Sequence, residues 1–197
     1  MKTVLVIGSN SDIARAAIEL LEPDHRIVKI DRTVVDLAAA DSTARLEQHL
    51  DSVQPDIVIN CAGVFGDNSS DYDLVFNVNL KSNWAVINYY LRNIPTRQIN
   101  VVMLGSSTYK QGRKNFILYA ASKSALHSVW QGASEAASEN LKLGLINPVY
   151  VHTKMVASRP HANPDICLTP NDVAQEIVKM CNMTQSQCID MDYKQGV

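Results

Sequence analysis

Apolar residues along this chain gather in short runs, with segments of helical spacing between them. Thr3–Ile7, Arg26–Ile30, Asp56–Asn60, Asn100–Leu104 and Leu143–Asn147 are rich in Val, Ile and Leu and show no in/out alternation. Parallel strands covered on both faces have this pattern, because neither side meets water. Ile13–Leu21, Ser42–Val53, Tyr72–Leu91 and Leu118–Asn140 suit helices. Asp172–Cys181 suits a last helix, with Pro170 and Asn171 as start signals, and Gln187–Met191 a final strand. Asp36 and Leu37 follow the second strand after a very short gap and read as the end of a third, its connecting helix lost. Strands alternating with helices through short connections predict a doubly wound, mostly parallel α/β sheet. No repeat, low-complexity tract or linker interrupts residues 1–197, so one domain is expected.

Composition narrows the function classes. Hydrophobic residues at 46% and charged residues at 19% are enough to build a core and argue against disorder. A formal net charge of -2 gives no electrostatic reason to expect nucleic acid or an anionic membrane as partner. No apolar stretch is long enough to span a bilayer. Met1-Lys2-Thr3 runs directly into a strand without the apolar region and cleavage site of a signal peptide. Cys61, Cys167, Cys181 and Cys188 lack CxxC spacing, so reduced thiols are expected, with no metal site, in a soluble cytoplasmic protein.

Two regions carry candidate chemistry. The first strand ends in Gly8-Ser9-Asn10-Ser11-Asp12-Ile13-Ala14 and then a helix. A strand, a tight small-residue turn and a helix N-terminus set backbone N–H groups and a positive dipole end against a pyrophosphate, the Rossmann-like arrangement. Ser11 or Asp12 serving only as a helix cap is the structural alternative. Asp31, at the end of the second strand, stands where an acid accepts from ribose hydroxyls. Such an acid favours NAD over NADP, although Arg32 beside it could grip a 2′-phosphate. The Asp36 side chain could reach an adenine amino group, or simply be solvated.

The second region is Leu118-Tyr119-Ala120-Ala121-Ser122-Lys123. Tyr119 and Lys123, four apart, project from one face of a helix. An ammonium beside a phenol favours phenolate, so this Tyr can exchange a proton with a carbonyl or alcohol oxygen near neutral pH. Gly105-Ser106-Ser107 closes the preceding strand and places a hydroxyl at the carboxyl end of the sheet, where such folds bind ligands. Alone, the Tyr/Lys pair usually means only a surface pair, and a strand-end serine more often just starts a turn.

Six segments taken together resemble the short-chain dehydrogenase/reductase family in order and approximate spacing. They are Gly8–Ala14, Asn60-Cys61-Ala62-Gly63, Asn77-Val78-Asn79, Gly105-Ser106-Ser107, Tyr119–Lys123 and Pro148-Val149-Tyr150-Val151-His152-Thr153. The resemblance implies an NAD(P)-dependent oxidoreductase moving a hydride to or from a carbonyl or secondary alcohol carbon. Tyr119 is then the general acid/base, Lys123 its partner and a holder of the nicotinamide ribose, and Ser106 (with Ser107 as fallback) the residue that orients the substrate oxygen. It further implies that Asn60, Ala62 and Gly63 steady the central sheet and line the cofactor. The Asn79 carbonyl would hold a water linking Lys123 to a proton relay, and Pro148, Val151 and Thr153 would embrace the nicotinamide. Gly8, Asn10, Ser11, Asp12, Ile13, Asp31, Arg32, Asp36 and Leu37 complete the implied cofactor set.

This chain departs from the family at several points. Asp12 and Ala14 replace glycines, Val149 stands where Gly usually follows Pro148, and the stretch after Thr153 is brief, implying a reduced substrate lid. Positive charge at Lys110, Arg113, Lys114, Lys154, Arg159 and His161 suggests an anionic small-molecule substrate. Small residues on the Tyr119 helix (Ala120, Ala121, Ser124, Ala125, Ser128, Ala133) suit the close helix pairing of a homodimer or homotetramer, or packing within the chain. The alternatives are a non-catalytic dinucleotide-binding regulator, favoured by Asp12 and Val149, and a sugar-nucleotide epimerase-like enzyme, for which little chain follows Thr153.

Overall fold

The computed structural model describes residues 1–67, 69–157 and 167–193. Six strands form one all-parallel sheet: β1 (Lys2–Ile7), β2 (His25–Ile30), β3 (Ile57–Asn60), β4 (Ile99–Leu104), β5 (Leu141–Pro148) and β6 (Gln187–Met191), in the order β2-β1-β3-β4-β5-β6. The doubly wound class is therefore as expected. Successive side chains of β1 point to opposite faces, and both faces are covered. Val4 and Val6 join Ile57, Ile59 and Val102 under α1 (Asp12–Leu21) and α7 (Pro170–Met180). Leu5 and Ile7 join Val58, Val101 and Met103 under α2 (Ser42–Val53), α4 (Ser82–Arg92) and α5 (Ile117–Ala136). Two buried layers on one sheet explain why β1 shows no alternation.

One expected strand is absent. Asp36 and Leu37 lie in a run of turns between β2 and α2, so β2 is the sheet edge. Too few residues separate Asp31 from Asp36 to leave β2, cross the sheet and return. Asp31 instead accepts the Thr33 and Val34 backbone N–H groups at 2.8 and 3.3 Å, which folds the chain back at once. The exposed edge carries Arg26 and Lys29, the latter paired with Glu22 at 2.9 Å, which discourages pairing with another chain.

The helix expected over Tyr72–Leu91 contains a wider turn. α3 (Tyr72–Phe76) passes into a π-helical segment, Asn77–Lys81, before α4. Such bulges gather at functional sites because the extra residue re-aims side chains; Asn79 sits inside this one. α5 ends at Ala136 rather than Asn140, and β5 is longer at both ends than Leu143–Asn147. After β5 comes the short α6 (Lys154–Ala157), and α7 begins at Pro170 behind a Thr169–Asp172 capping box.

Candidate active site

The strand order reverses between β1 and β3, and the crevice beyond their carboxyl ends is where ligands of doubly wound sheets sit. Two adjoining cavities occupy that crevice, of about 620 Å³ and about 240 Å³, sharing Asn10, Ser11, Cys61, Ala62 and Gly63 as common wall. Their floor is the turn after β1. Gly8 has φ +72°, and a Cβ there would lie 2.6 Å from the Ala62 backbone nitrogen. Glycine is required on both counts: the left-handed backbone and the close approach of two chain segments. Ser11 caps α1, its hydroxyl accepting the Ala14 N–H at 3.2 Å. Capping therefore belongs to Ser11 and not to Asp12.

Asp12 has a different partner. Its carboxylate accepts the Lys154 backbone N–H at 2.8 Å, with the Lys154 ammonium 3.9 Å from the other oxygen. The charge that replaces a glycine is thus drawn toward the segment after β5 and compensated there.

The smaller cavity is bounded by Gly8, Asp31, Arg32, Asp36 and Leu37. Hydrogen bonds from the Thr33 hydroxyl and N–H hold the Asp31 carboxyl below its ordinary range against the opposing effect of burial, with Val34 and Asn10 adding less. One Asp31 oxygen takes three donors from Thr33 and Val34. The other takes only Asn10 Nδ2, at 2.8 Å, which leaves it room for a ligand hydroxyl. Arg32, at the cavity's edge, has its side chain 82% exposed and 3.7 Å from Asp36.

The larger cavity gathers Ser106, Ser107, Tyr119 and Lys123 with Pro148, Val149, Val151 and Thr153. Asn10, Ser11, Asp12 and Ile13 form its opposite side. Lys123 is 4% exposed, and its ammonium donates to the Leu104 carbonyl at 2.8 Å. Burial lowers its pKa from 10.5 to about 8. The same nitrogen lies 5.7 Å from the centre of the Tyr119 ring. Burial pushes the Cys61 thiol up to about 12, so it stays protonated.

Ser106 is the more enclosed of the two serines, and its hydroxyl accepts from Thr108 N–H at 3.3 Å and Thr108 Oγ1 at 3.0 Å. Asn60 and Asn79 stand behind the cavity wall. Asn60 ties β3 to α4 through Ser82 at 3.0 Å and accepts the Ala62 N–H at 3.0 Å. The Asn79 side chain pairs both its ends with the Val64 backbone at 2.9 Å and donates to Ser122 at 3.1 Å. The Asn79 carbonyl accepts Asn83 Nδ2 at 2.9 Å, so one of its two lone pairs is taken by an amide where a relay water was expected.

Of the expected basic groups among the described residues, only Arg113 and Lys154 line the larger cavity. Lys110 pairs with Asp190 at 2.7 Å, Lys154 is turned to Asp12, and Lys114 is exposed; Arg159 and His161 lie outside the described residues. The sequence reading missed an aromatic wall. Phe65 lies 4.9 Å from the Tyr119 ring, Phe116 lies 5.1 Å from Phe65, and Tyr150 stacks on Tyr193 at 6.5 Å. Phe116, the cap residue just before α5 and three before Tyr119, was the available signal; Tyr193 had none. Among the described residues no helix is long and apolar enough to cross a membrane, and no His/Cys/Asp/Glu cluster could hold a metal ion.

The family model described as short chain dehydrogenase matches residues 1–164. The zebrafish (Danio rerio) carbonyl reductase family member 4 is 29% identical over 188 residues, covering 79% of this chain and 78% of that protein. A 4-hydroxyisoleucine dehydrogenase complexed with NADH superimposes with a TM-score of 0.81 at 22% identity, covering 98% and 97% of the two chains. A short chain dehydrogenase of Shigella flexneri 2a str. 301 complexed with NADP does so with a TM-score of 0.81 at 20% identity, covering 96% of each.

Proposed function

The chain belongs to the short-chain dehydrogenase/reductase family of oxidoreductases, and from that premise we propose that it interconverts a carbonyl and a secondary alcohol with NAD, using Tyr119 as general acid/base. The carrying observation is the buried Lys123 ammonium, held by the Leu104 carbonyl beside the Tyr119 ring in the cavity that the Gly8 turn underlies. Taking a cation out of water this fully costs free energy, which a single carbonyl acceptor offsets only in part.

The crevice fits a dinucleotide. The Gly8 cradle admits no side chain, the first turn of α1 presents N–H groups beyond the Ser11 cap, and Asp31 keeps an acceptor free for a ribose hydroxyl. Bound nicotinamide would supply or accept the hydride at the substrate carbon. In the reducing direction Tyr119 donates its phenolic proton to the substrate oxygen, and Ser106 donates a hydrogen bond to the same oxygen as charge builds there. The Lys123 ammonium favours the negative charge left on Tyr119. Oxidation of an alcohol reverses these proton movements. Pro148, Val151 and Thr153 are the residues we assign to the nicotinamide side, and Asp31 with Asp36 and Leu37 to the adenosine side. Pairing of the exposed Ala121 and Ser128 face of α5 in a homodimer or homotetramer belongs to the same reading.

Asp31 favours NAD because a 2′-phosphate would meet its carboxylate while Arg32 is engaged with Asp36. Titration with NADH and NADPH, followed by nicotinamide fluorescence, is expected to show tighter NADH binding. Asp31→Ser should narrow the ratio about tenfold or more, the scale of one lost charged contact. Equal affinity for both cofactors in the unmodified protein would remove the NAD preference, and binding of neither would remove the proposed function.

The aromatic wall and Arg113 suggest a carbonyl substrate with an apolar body and a carboxylate or phosphate. Arg113→Glu should raise KM for such substrates about tenfold or more and leave neutral analogues unaffected. Equal effects on charged and neutral substrates would argue against an anionic ligand.

A further inference from the structure

Behind Ser106 lies a hydrogen-bond chain that neither the motif pattern nor the proposed mechanism uses. Asn147, second to last in β5, is 1% exposed and follows the apolar run Leu143–Ile146. Its Oδ1 accepts the Ser106 backbone N–H at 3.2 Å. Its Nδ2 donates to Asp190 Oδ1 at 3.1 Å and to Cys188 Sγ at 3.1 Å, both on β6. The second Asp190 oxygen accepts from the Lys110 ammonium at 2.7 Å and the Tyr109 hydroxyl at 3.1 Å. The chain starts at Ser106, crosses β5 and β6, and returns to the 3₁₀ segment Ser107–Lys110 that leaves Ser106.

We propose that Asn147 and Asp190 are positioning residues that lock the Ser106 segment onto the sheet, fixing the serine hydroxyl for the substrate oxygen. The inference rests on the role assigned to Ser106 above. Three features support a dedicated device over ordinary packing. A Cβ at Gly105 would collide with Asn147 Oδ1, so the residue before Ser106 has to be the smallest for this amide to enter. Every polar atom of the Asn147 side chain is engaged, and a fully satisfied buried network specifies one geometry. The far end is held by a charge: burial opposes the Asp190 carboxylate, yet the bonds from Lys110, Asn147 and Tyr109 keep its pKa below the ordinary value. An amide facing a carboxylate has a defined polarity, acceptor toward Ser106 and donor toward Asp190. That polarity sets how the lock can be broken and restored.

Asn147→Asp sets two carboxylates against each other, whereas Asn147→Asp/Asp190→Asn restores a donor and acceptor at every contact. The proteins to compare are the unmodified chain, these two variants and Tyr119→Phe. For each, hydrogen exchange of the 106–111 backbone, NADH affinity, and kcat with NADH on aromatic aldehydes and ketones are measured. Asn147→Asp should accelerate exchange in 106–111 at least tenfold and lower kcat ten- to a hundredfold, the scale of a displaced reacting group. NADH affinity should stay within twofold, and the double variant should recover most of both losses. A purely structural role would lower stability without this split between kcat and cofactor affinity. Unchanged exchange in Asn147→Asp, or a double variant no better than the single one, overturns the inference. A Tyr119→Phe enzyme as active as the unmodified one would overturn the proposed function instead, while the exchange data would still decide whether the lock exists.

Discussion

Tyr119→Phe is expected to lower kcat for carbonyl reduction about a thousandfold, in the middle of the range that a positioned general acid contributes, while NADH affinity and thermal stability change little. The substitution removes one hydroxyl and keeps the ring. The ring is what packs against Phe65 at 4.9 Å and Phe116 at 6.2 Å, so the aromatic wall survives. Without the phenol the substrate oxygen loses the proton donor assigned to it, and the Lys123 charge has no phenolate to stabilise. Steady-state kinetics with cofactor saturating, beside a melting curve, separates the outcomes. A loss of a few-fold only would assign the proton transfer to another group, with Ser106 the first to test.

Lys123→Met is expected to abolish turnover and to change the pH dependence of folding. Burial places the folded-state pKa of Lys123 near 8, below its ordinary 10.5. Between those values the unfolded chain binds more protons than the folded one, so unfolding free energy rises with pH. The destabilisation is fully present below about pH 8 and disappears as pH climbs through 10.5; it corresponds to about 3 kcal/mol. Methionine carries no such burden, although it leaves the Leu104 carbonyl without its donor at a pH-independent cost of about 1–3 kcal/mol. Urea unfolding of both proteins from pH 7 to pH 10 should therefore show the stability of the unmodified chain rising relative to the variant by a large part of that 3 kcal/mol. A difference that stays flat across the range would mean that Lys123 is hydrated in solution, and would remove the buried cation on which the proposed function leans. The expected exchange of stability for activity is the usual signature of a group retained for chemistry.

The turn after β1, the serines after β4 and the Tyr119–Lys123 pair were legible in the sequence because each is a local arrangement. A strand end, a glycine or a four-residue spacing defines it, and the helical or extended backbone then sets where the side chains point. Asp12 was legible only as a problem. Its partner is the Lys154 backbone, 142 residues away, and no local pattern announces a contact of that range. The lock on Ser106 was missed for the same reason, since Asn147 lies 41 residues from Ser106 and 43 from Asp190. A polar residue following the apolar run Leu143–Ile146 was its one trace. Asp36 and Leu37 were misread as a strand because short apolar-acidic pairs look alike in strands and turns. Only the hydrogen bonds of Asp31 to Thr33 and Val34 decide between the two.

By itself, then, the sequence determined the alternation of strands with helices, with one strand too many at Asp36 and Leu37, the glycine beneath the crevice, and which polar side chains leave the carboxyl ends of strands. These follow from local backbone preference and from the period of burial. The tertiary structure decided which of those side chains meet. Strand order brings β1 beside β3 and β5 beside β6, and the depth of the cavity strips water from Lys123. Charge, acidity and hydrogen-bond partner depend on neighbours distant in the chain, and those neighbours exist only once the sheet has closed.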